Sequence, residues 1–189
     1  MHISTTLFIL SVLFFSLSAN AAETFGDRVW YDLNKNGIQD AGEPGAAGIR
    51  VRVNGVNYTT NVNGFWQSND LRSRRSYTVT FSNLPAGYVF SPQNQGSNDN
   101  VDSDANPVDG VTASYTAVTN TFLTHIDAGI YLPVPEIDIK GLGLSIYSGD
   151  TSPSTTDNTY FGSADIVTGS VSHGFIIYNT GDGTLNLTG

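Results

Sequence analysis

The 189-residue chain has no cysteine, one methionine, two lysines and three histidines. Without cysteine there is no thiol nucleophile, and no disulfide can support a small core. Basic residues are so few that the net charge is −9, and the six arginines and two lysines form no long stripe. Such a surplus of carboxylates repels phosphate backbones, which excludes nucleic acid as a partner. The short motifs of enzymes are missing too. There is no Gly-x-Ser-x-Gly elbow and no HExxH, and only His2, His125 and His173 offer imidazole bases.

Long apolar runs are equally scarce. Leu7 to Leu17 is one, broken only by serines and followed by Ala19-Asn20-Ala21, the small-x-small pattern of a signal peptidase site. The run falls short of the roughly 20 residues that span a bilayer as a helix. Residues 1–21 are therefore expected to be an export signal, with the mature chain starting at Ala22. The basic flank of such a signal is reduced to His2, which leaves a membrane anchor as the alternative reading. No other segment is apolar enough to cross a membrane. Secretion or display at the cell surface is the expected location.

Helical periodicity is absent from the mature chain, and strand patterns take its place. Ile49-Arg-Val-Arg-Val53 alternates apolar and charged residues, so Ile49, Val51 and Val53 are expected to face a core and Arg50 and Arg52 water. Phe25–Tyr31, Asn57–Thr60, Gly64–Gln67, Tyr77–Phe81, Tyr88–Phe90, Val111–Thr116 and Phe122–Tyr131 read as further strands, separated by Asn, Gly and Pro clusters. That is a β-sandwich over residues 22–133. Leu132-Pro-Val-Pro-Glu136 marks a boundary. Beyond it, residues 134–189 open a second sandwich with candidate strands at 137–139, 144–146, 157–162 and 174–187. Seven strands need on the order of 100 residues, so this second unit is expected to be incomplete and the chain truncated.

The most specific stretch is Asp32-Leu-Asn-Lys-Asn-Gly-Ile-Gln-Asp-Ala-Gly-Glu43. Read as a twelve-residue calcium loop, it places oxygen ligands at Asp32, Asn34, Asn36, the Ile38 carbonyl, Asp40 and Glu43. Gly37 takes the sixth position, where the chain must turn sharply. The alternative is an ordinary Asx-rich turn. Neither flank is helical, so a bound Ca2+ is expected to brace a connection between strands rather than to drive a switch. At millimolar external calcium such a site would be loaded, and it would substitute for the missing disulfides.

Gly26-Asp-Arg-Val-Trp-Tyr-Asp-Leu-Asn-Lys-Asn-Gly-Ile-Gln-Asp-Ala-Gly-Glu-Pro-Gly45, with Gly48-Ile-Arg-Val, Tyr77-Thr-Val, Asp102-Ser-Asp104 and Asp127-Ala-Gly-Ile-Tyr131, resembles the SdrD B-like domain of bacterial surface proteins. The resemblance implies a transthyretin-like, calcium-stabilised stalk module holding an adhesive region away from the cell. Tyr178-Asn-Thr-Gly181 and Leu185-Asn-Leu resemble the immunoglobulin-like, Hydin-related repeat called choice-of-anchor D. Some relatives of the first family carry a Lys to Asn isopeptide bond. Lys35 lies inside the loop, at a position expected to face solvent, and Lys140 lies in the second unit, so no such bond is expected.

Asp102, Asp104 and Asn106 repeat the two-residue oxygen spacing of the loop, although Pro107 stands where the loop has glycine. Asp99, Asp102 and Asp104 either complete a cation site with oxygens from another connection, as the resemblance implies, or are solvated loop charge. His125 and Asp127 flank Ile126 and are expected to be a surface pair, with Ile126 and Phe122 turned to the core. Leu71-Arg-Ser-Arg-Arg75 is either solvated charge or a contact for an acidic polysaccharide. Trp30 and Trp66 fit either core packing or sugar stacking. Asn57-Tyr-Thr and Asn186-Leu-Thr are glycosylation sequons by pattern. Two readings of function follow: a structural spacer whose extracellular protein or glycan partner is not legible, and a carbohydrate-binding or accessory module of a larger enzyme.

Overall fold

The computed structural model describes residues 23–69 and 71–188; the expected export signal, residues 1–21, lies outside them. Among the described residues the regular structure is all β, and no helix is long and apolar enough to cross a membrane. In chain order the strands are β1 (Thr24–Tyr31), β2 (Arg50–Val53), β3 (Val56–Thr59), β4 (Phe65–Gln67), β5 (Ser76–Ser82), β6 (Val89–Phe90), β7 (Val111–Thr116), β8 (Phe122–Leu123), β9 (Ala128–Tyr131), β10 (Ile137–Gly141), β11 (Leu144–Ser145) and β12 (Ile176–Asn179).

Two sheets form an immunoglobulin-like sandwich. One has the order β4-β1-β9-β6, with β8 also paired to β1; the other has the order β3-β2-β5-β7. The alternation read from Ile49 to Val53 holds: Ile49, Val51 and Val53 are buried, and Arg50 and Arg52 are exposed. Ile49, Val51 and Val53 meet Phe25, Val29, Val79, Phe81, Ile126, Ala128 and Ile130 in one apolar cluster, each side chain larger than alanine contributing about 1.5–3 kcal/mol. A third sheet, β11-β10-β12, follows the Pro-rich connection. Residues 157–162, expected as a strand, form a turn and irregular chain instead, because Asp157 caps its own turn through Thr159.

The stretch 122–131 is not one strand. Both of its halves pair in parallel with β1, but Thr24 stands opposite Phe122 while Val29 stands opposite Ala128, so one extra residue is accommodated between them. Such a bulge reverses the inward parity. Leu123 packs on the core before it, and Ile126, Ala128 and Ile130 lie in the core after it. Phe122, expected inside, is consequently 46% exposed. Asp127, expected at the surface, is fully buried, because the chain from Ser91 to Asp104 covers the other face of β9.

Candidate metal centre

The Asx-rich loop closes on itself through its two end carboxylates. Asp32 accepts the N–H of Gly37 at 2.8 Å and that of Asn36 at 3.2 Å. Glu43 reaches back ten positions, its Oε1 accepting Leu33 N–H at 2.8 Å and its Oε2 accepting Asp40 N–H at 2.9 Å. Both end residues are buried, whereas Asn34 and Asp40 are exposed. The Asn34 and Asn36 amides donate to Asp40 Oδ2 at 2.9 and 2.8 Å, and these bonds hold its pKa below the usual carboxylate range. Gly37 has φ of 74°, and a Cβ there would run into the Pro92 carbonyl oxygen.

The acidic segment is stitched to this loop. Ile38 and Asp102 form a β-bridge, with Gln39 N–H donating to the Val101 carbonyl at 2.6 Å and Ser103 N–H to the Gly37 carbonyl at 2.9 Å. From there the segment runs along β9. Gly129 N–H donates to Ser103 Oγ at 3.1 Å, Asp127 N–H to Asp104 Oδ2 at 2.9 Å, and Asp104 N–H to the Asp127 carbonyl at 3.1 Å. Tyr115 donates its hydroxyl to Asp104 Oδ1. A side chain at Gly129 would strike Ser91 Oγ and Trp30, so glycine alone lets the covering segment lie this close.

Within this knit several polar atoms are stranded. Both carboxyl oxygens of Asp127, Asp102 Oδ1 and Ser91 Oγ are buried without a hydrogen-bond partner among the described residues. Burial, with Asp104 next in effect, pushes Asp127 up to about 10; burial pushes Asp104 up to about 7 and, with Asp99 beside it, raises Asp102. Such a buried carboxyl keeps its proton at neutral pH unless a nearby positive charge stabilises the ionised form.

The predicted ligands therefore divide. Asp32, Asn34, Asn36, Ile38, Asp40 and Glu43 share the loop, and Asp102 lies against it. Asp104 sits further along, facing Tyr115 and β9. Asp99 does not join the loop: its side chain is 67% exposed and 3.8 Å from His125 Nε2. His125 consequently faces Asp99 and the Tyr115 ring rather than Asp127, and the expected His125–Asp127 surface pair does not form. Among the described residues no three His, Asp or Glu side chains converge as a ready metal cage. The donor set that fits a hard cation is mixed, combining carboxylates with Asn amide oxygens and a backbone carbonyl, as Ca2+ prefers.

Asp127 was missed as a site residue because strand alternation assigned it to solvent. Its signal was an acid set inside the otherwise apolar run Ile126-Asp-Ala-Gly-Ile130. Trp30 and Trp66 are 0% and 4% exposed and are core residues, Trp66 meeting the Phe81 ring edge-on at 5.9 Å. Arg72, Arg74 and Arg75 are exposed.

Fold and site together define a β-sandwich module whose strand connections carry an Asx-rich loop fastened to an acidic segment. The family model for the SdrD B-like domain matches residues 23–130, and the chain belongs to that family. It is 36% identical over 138 residues to the serine-aspartate repeat-containing protein F of Staphylococcus epidermidis, covering 68% of this chain and 8% of that protein. With the serine-aspartate repeat-containing protein D of Staphylococcus aureus strain Newman it is 36% identical over 115 residues, 57% of this chain and 8% of that one. The chain thus spans under a tenth of the length of either relative. The Bacillus anthracis TIE protein aligns over 85% of this chain and 26% of its own, at 12% identity and a TM-score of 0.41.

Proposed function

We propose that residues 22–133 are a calcium-stabilised, non-catalytic spacer module of an exported bacterial surface protein, and that residues 134–189 belong to a further immunoglobulin-like unit. The observation that carries the calcium reading is the pairing of a closed twelve-residue loop with stranded, buried carboxyl oxygens: one of Asp102 in the segment stitched to the loop, and both of Asp127 in the lead-in to β9 beside that segment. Asp32, Asn34, Asn36, the Ile38 carbonyl, Asp40 and Glu43 would hold one ion. Asp102, Asp104 and Asp127 would gather around positive charge beneath the 91–104 segment, with Asp99 at its exposed rim.

Calcium would supply charge compensation and cross-linking, not chemistry. The residues it ties belong to the connections after β1 and after β6 and to the lead-in to β9, so one set of contacts braces both ends of the parallel β1–β9 pair. A brace of that kind suits a load-bearing stalk. The family and the staphylococcal relatives support a surface role, and the apolar N-terminal run supports export.

The test is a thermal melt of the full chain with calcium, with chelator, and for Glu43→Ala. Calcium at a hundredfold its Kd would add about 2.7 kcal/mol and raise Tm by roughly 5–10 °C. Glu43→Ala would erase most of that rise. Equal melting temperatures with calcium and with chelator would refute the proposal.

A further inference from the structure

The open edge of the sandwich holds a cleft of about 500 Å³ in which one wall comes from each sheet. Asp27 of β1 and Gln67 of β4 face Thr59 at the end of β3, with Asn61 and Thr124 at the margins. Among the described residues none of the side chains of Asp27, Thr59, Gln67 and Thr124 makes a hydrogen bond, and Asn61 uses only its Oδ1, leaving its amide N–H groups free. Phe65 and Phe122 border the cleft at 50% and 46% exposure, large rings that the core does not absorb.

We infer that this cleft binds a neutral glycan. Planar carboxyl and amide groups beside hydroxyls match the paired donors and acceptors of a sugar, while phenyl rings take the C–H faces of a pyranose. Other ligand classes fit less well. An apolar peptide would strand five polar groups at a cost of about 1–3 kcal/mol apiece. A sulfated or uronic-acid glycan would meet the Asp27 carboxylate in a chain of net charge −9. An ammonium would find one cation already at the Phe65 ring, because the Arg28 guanidinium, outside the cleft lining, lies 5.8 Å from its centre and is fixed by the Glu43 and Asn63 carbonyls at 2.9 and 3.1 Å. The inference stands independently of the calcium proposal.

The test is a titration of the full chain with neutral oligosaccharides of glucose, galactose, xylose and N-acetylglucosamine at millimolar concentration, followed by NMR at the Asn61 and Gln67 side-chain amides. A heparin fragment, an oligolysine and an apolar peptide complete the panel. The expected result is a saturable shift with at least one neutral glycan, weakened tenfold or more by Phe65→Ala and by Gln67→Ala. Phe65 is half exposed and Gln67 exposed, so both variants are expected to keep the wild-type melting temperature. Absence of any shift with the neutral sugars, an equal response to the charged or apolar probes, or unchanged binding by both variants would overturn the inference.

Discussion

Lys35 lies 2.9 Å from Asp182, an ion pair that joins the fourth residue of the Asx-rich loop to the segment following β12. The same Asp182 Oδ1 accepts the N–H of Val134 at 3.0 Å, and Lys35 Nζ sits 5.6 Å from the centre of the Tyr131 ring. Lys35 was expected to point to solvent; instead it spans the Pro-rich connection. An exposed pair of this kind adds little to global stability. Its effect is to fix one piece of chain against another.

Lys35→Met is therefore expected to leave the melting temperature nearly unchanged while hydrogen exchange quickens at residues 134–141 and 179–183. If calcium organises the loop, chelation would speed exchange in the same two stretches of the wild type. Unchanged exchange there in the variant would show that the pair holds nothing in place.

Gly37 combines a left-handed backbone with a close approach to the carbonyl of Pro92. Gly37→Ala pays for both, at about 1–2 kcal/mol for the backbone alone and more for displacing the 91–95 segment. Urea unfolding is expected to show a loss of at least about 2 kcal/mol, together with a smaller stabilisation by calcium. A loss below about 0.5 kcal/mol would mean that the loop and the covering segment are not packed as described.

Much of this was legible from residue patterns. Ile49 to Val53 gave its faces by alternation, Pro and Asn clusters bounded the strands, and the Asx-rich spacing from Asp32 to Glu43 marked a stretch that closes on itself as a loop. What alternation cannot report is a bulge. The single extra residue between Leu123 and Ala128 reversed the parity, moving Phe122 outward and hiding Asp127. Nor does local sequence say which distant connection covers a sheet face. Asp102 and Asp104 reach the loop and β9 through pairings across more than sixty and more than twenty residues, and Lys35 meets a partner 147 positions away.

Asp27 offers a test through pH. Burial, opposed by the Arg28 charge, raises its pKa to about 6 from the ordinary value of 3.8. A raised carboxyl pKa means that the folded state holds its proton more tightly. Between pH 4 and 6 the unfolded chain is thus the more ionised, and stability from this group falls as pH rises. Asp27→Asn is expected to stabilise the protein at pH 7 by on the order of 1 kcal/mol, allowing for the solvent screening of a half-exposed group. At pH 4 the gain should vanish. Denaturant melts at the two pH values decide it, and a gain of equal size at both would remove the titration as its cause.

Asp127 provides the sharpest discrimination, because the two states of its surroundings predict opposite signs. Without metal its carboxyl is held up to about 10 by burial and by Asp104. Folding must then take up a proton at neutral pH, and the stability of the metal-free protein declines as pH rises from about 4 toward 10. Asparagine has nearly the same shape and no charge to bury, so Asp127→Asn in chelator should raise stability at pH 7 by a few kcal/mol and flatten that decline. With calcium the carboxylate becomes a ligand, and the same substitution should lower the melting temperature relative to wild type and shrink the calcium-dependent rise. The variant curves are expected to cross those of the wild type between the two conditions. Should Asp127→Asn stabilise to the same extent in calcium as in chelator, the carboxyl would be a buried acid that no cation visits, and calcium would act through the Asp32–Glu43 loop alone.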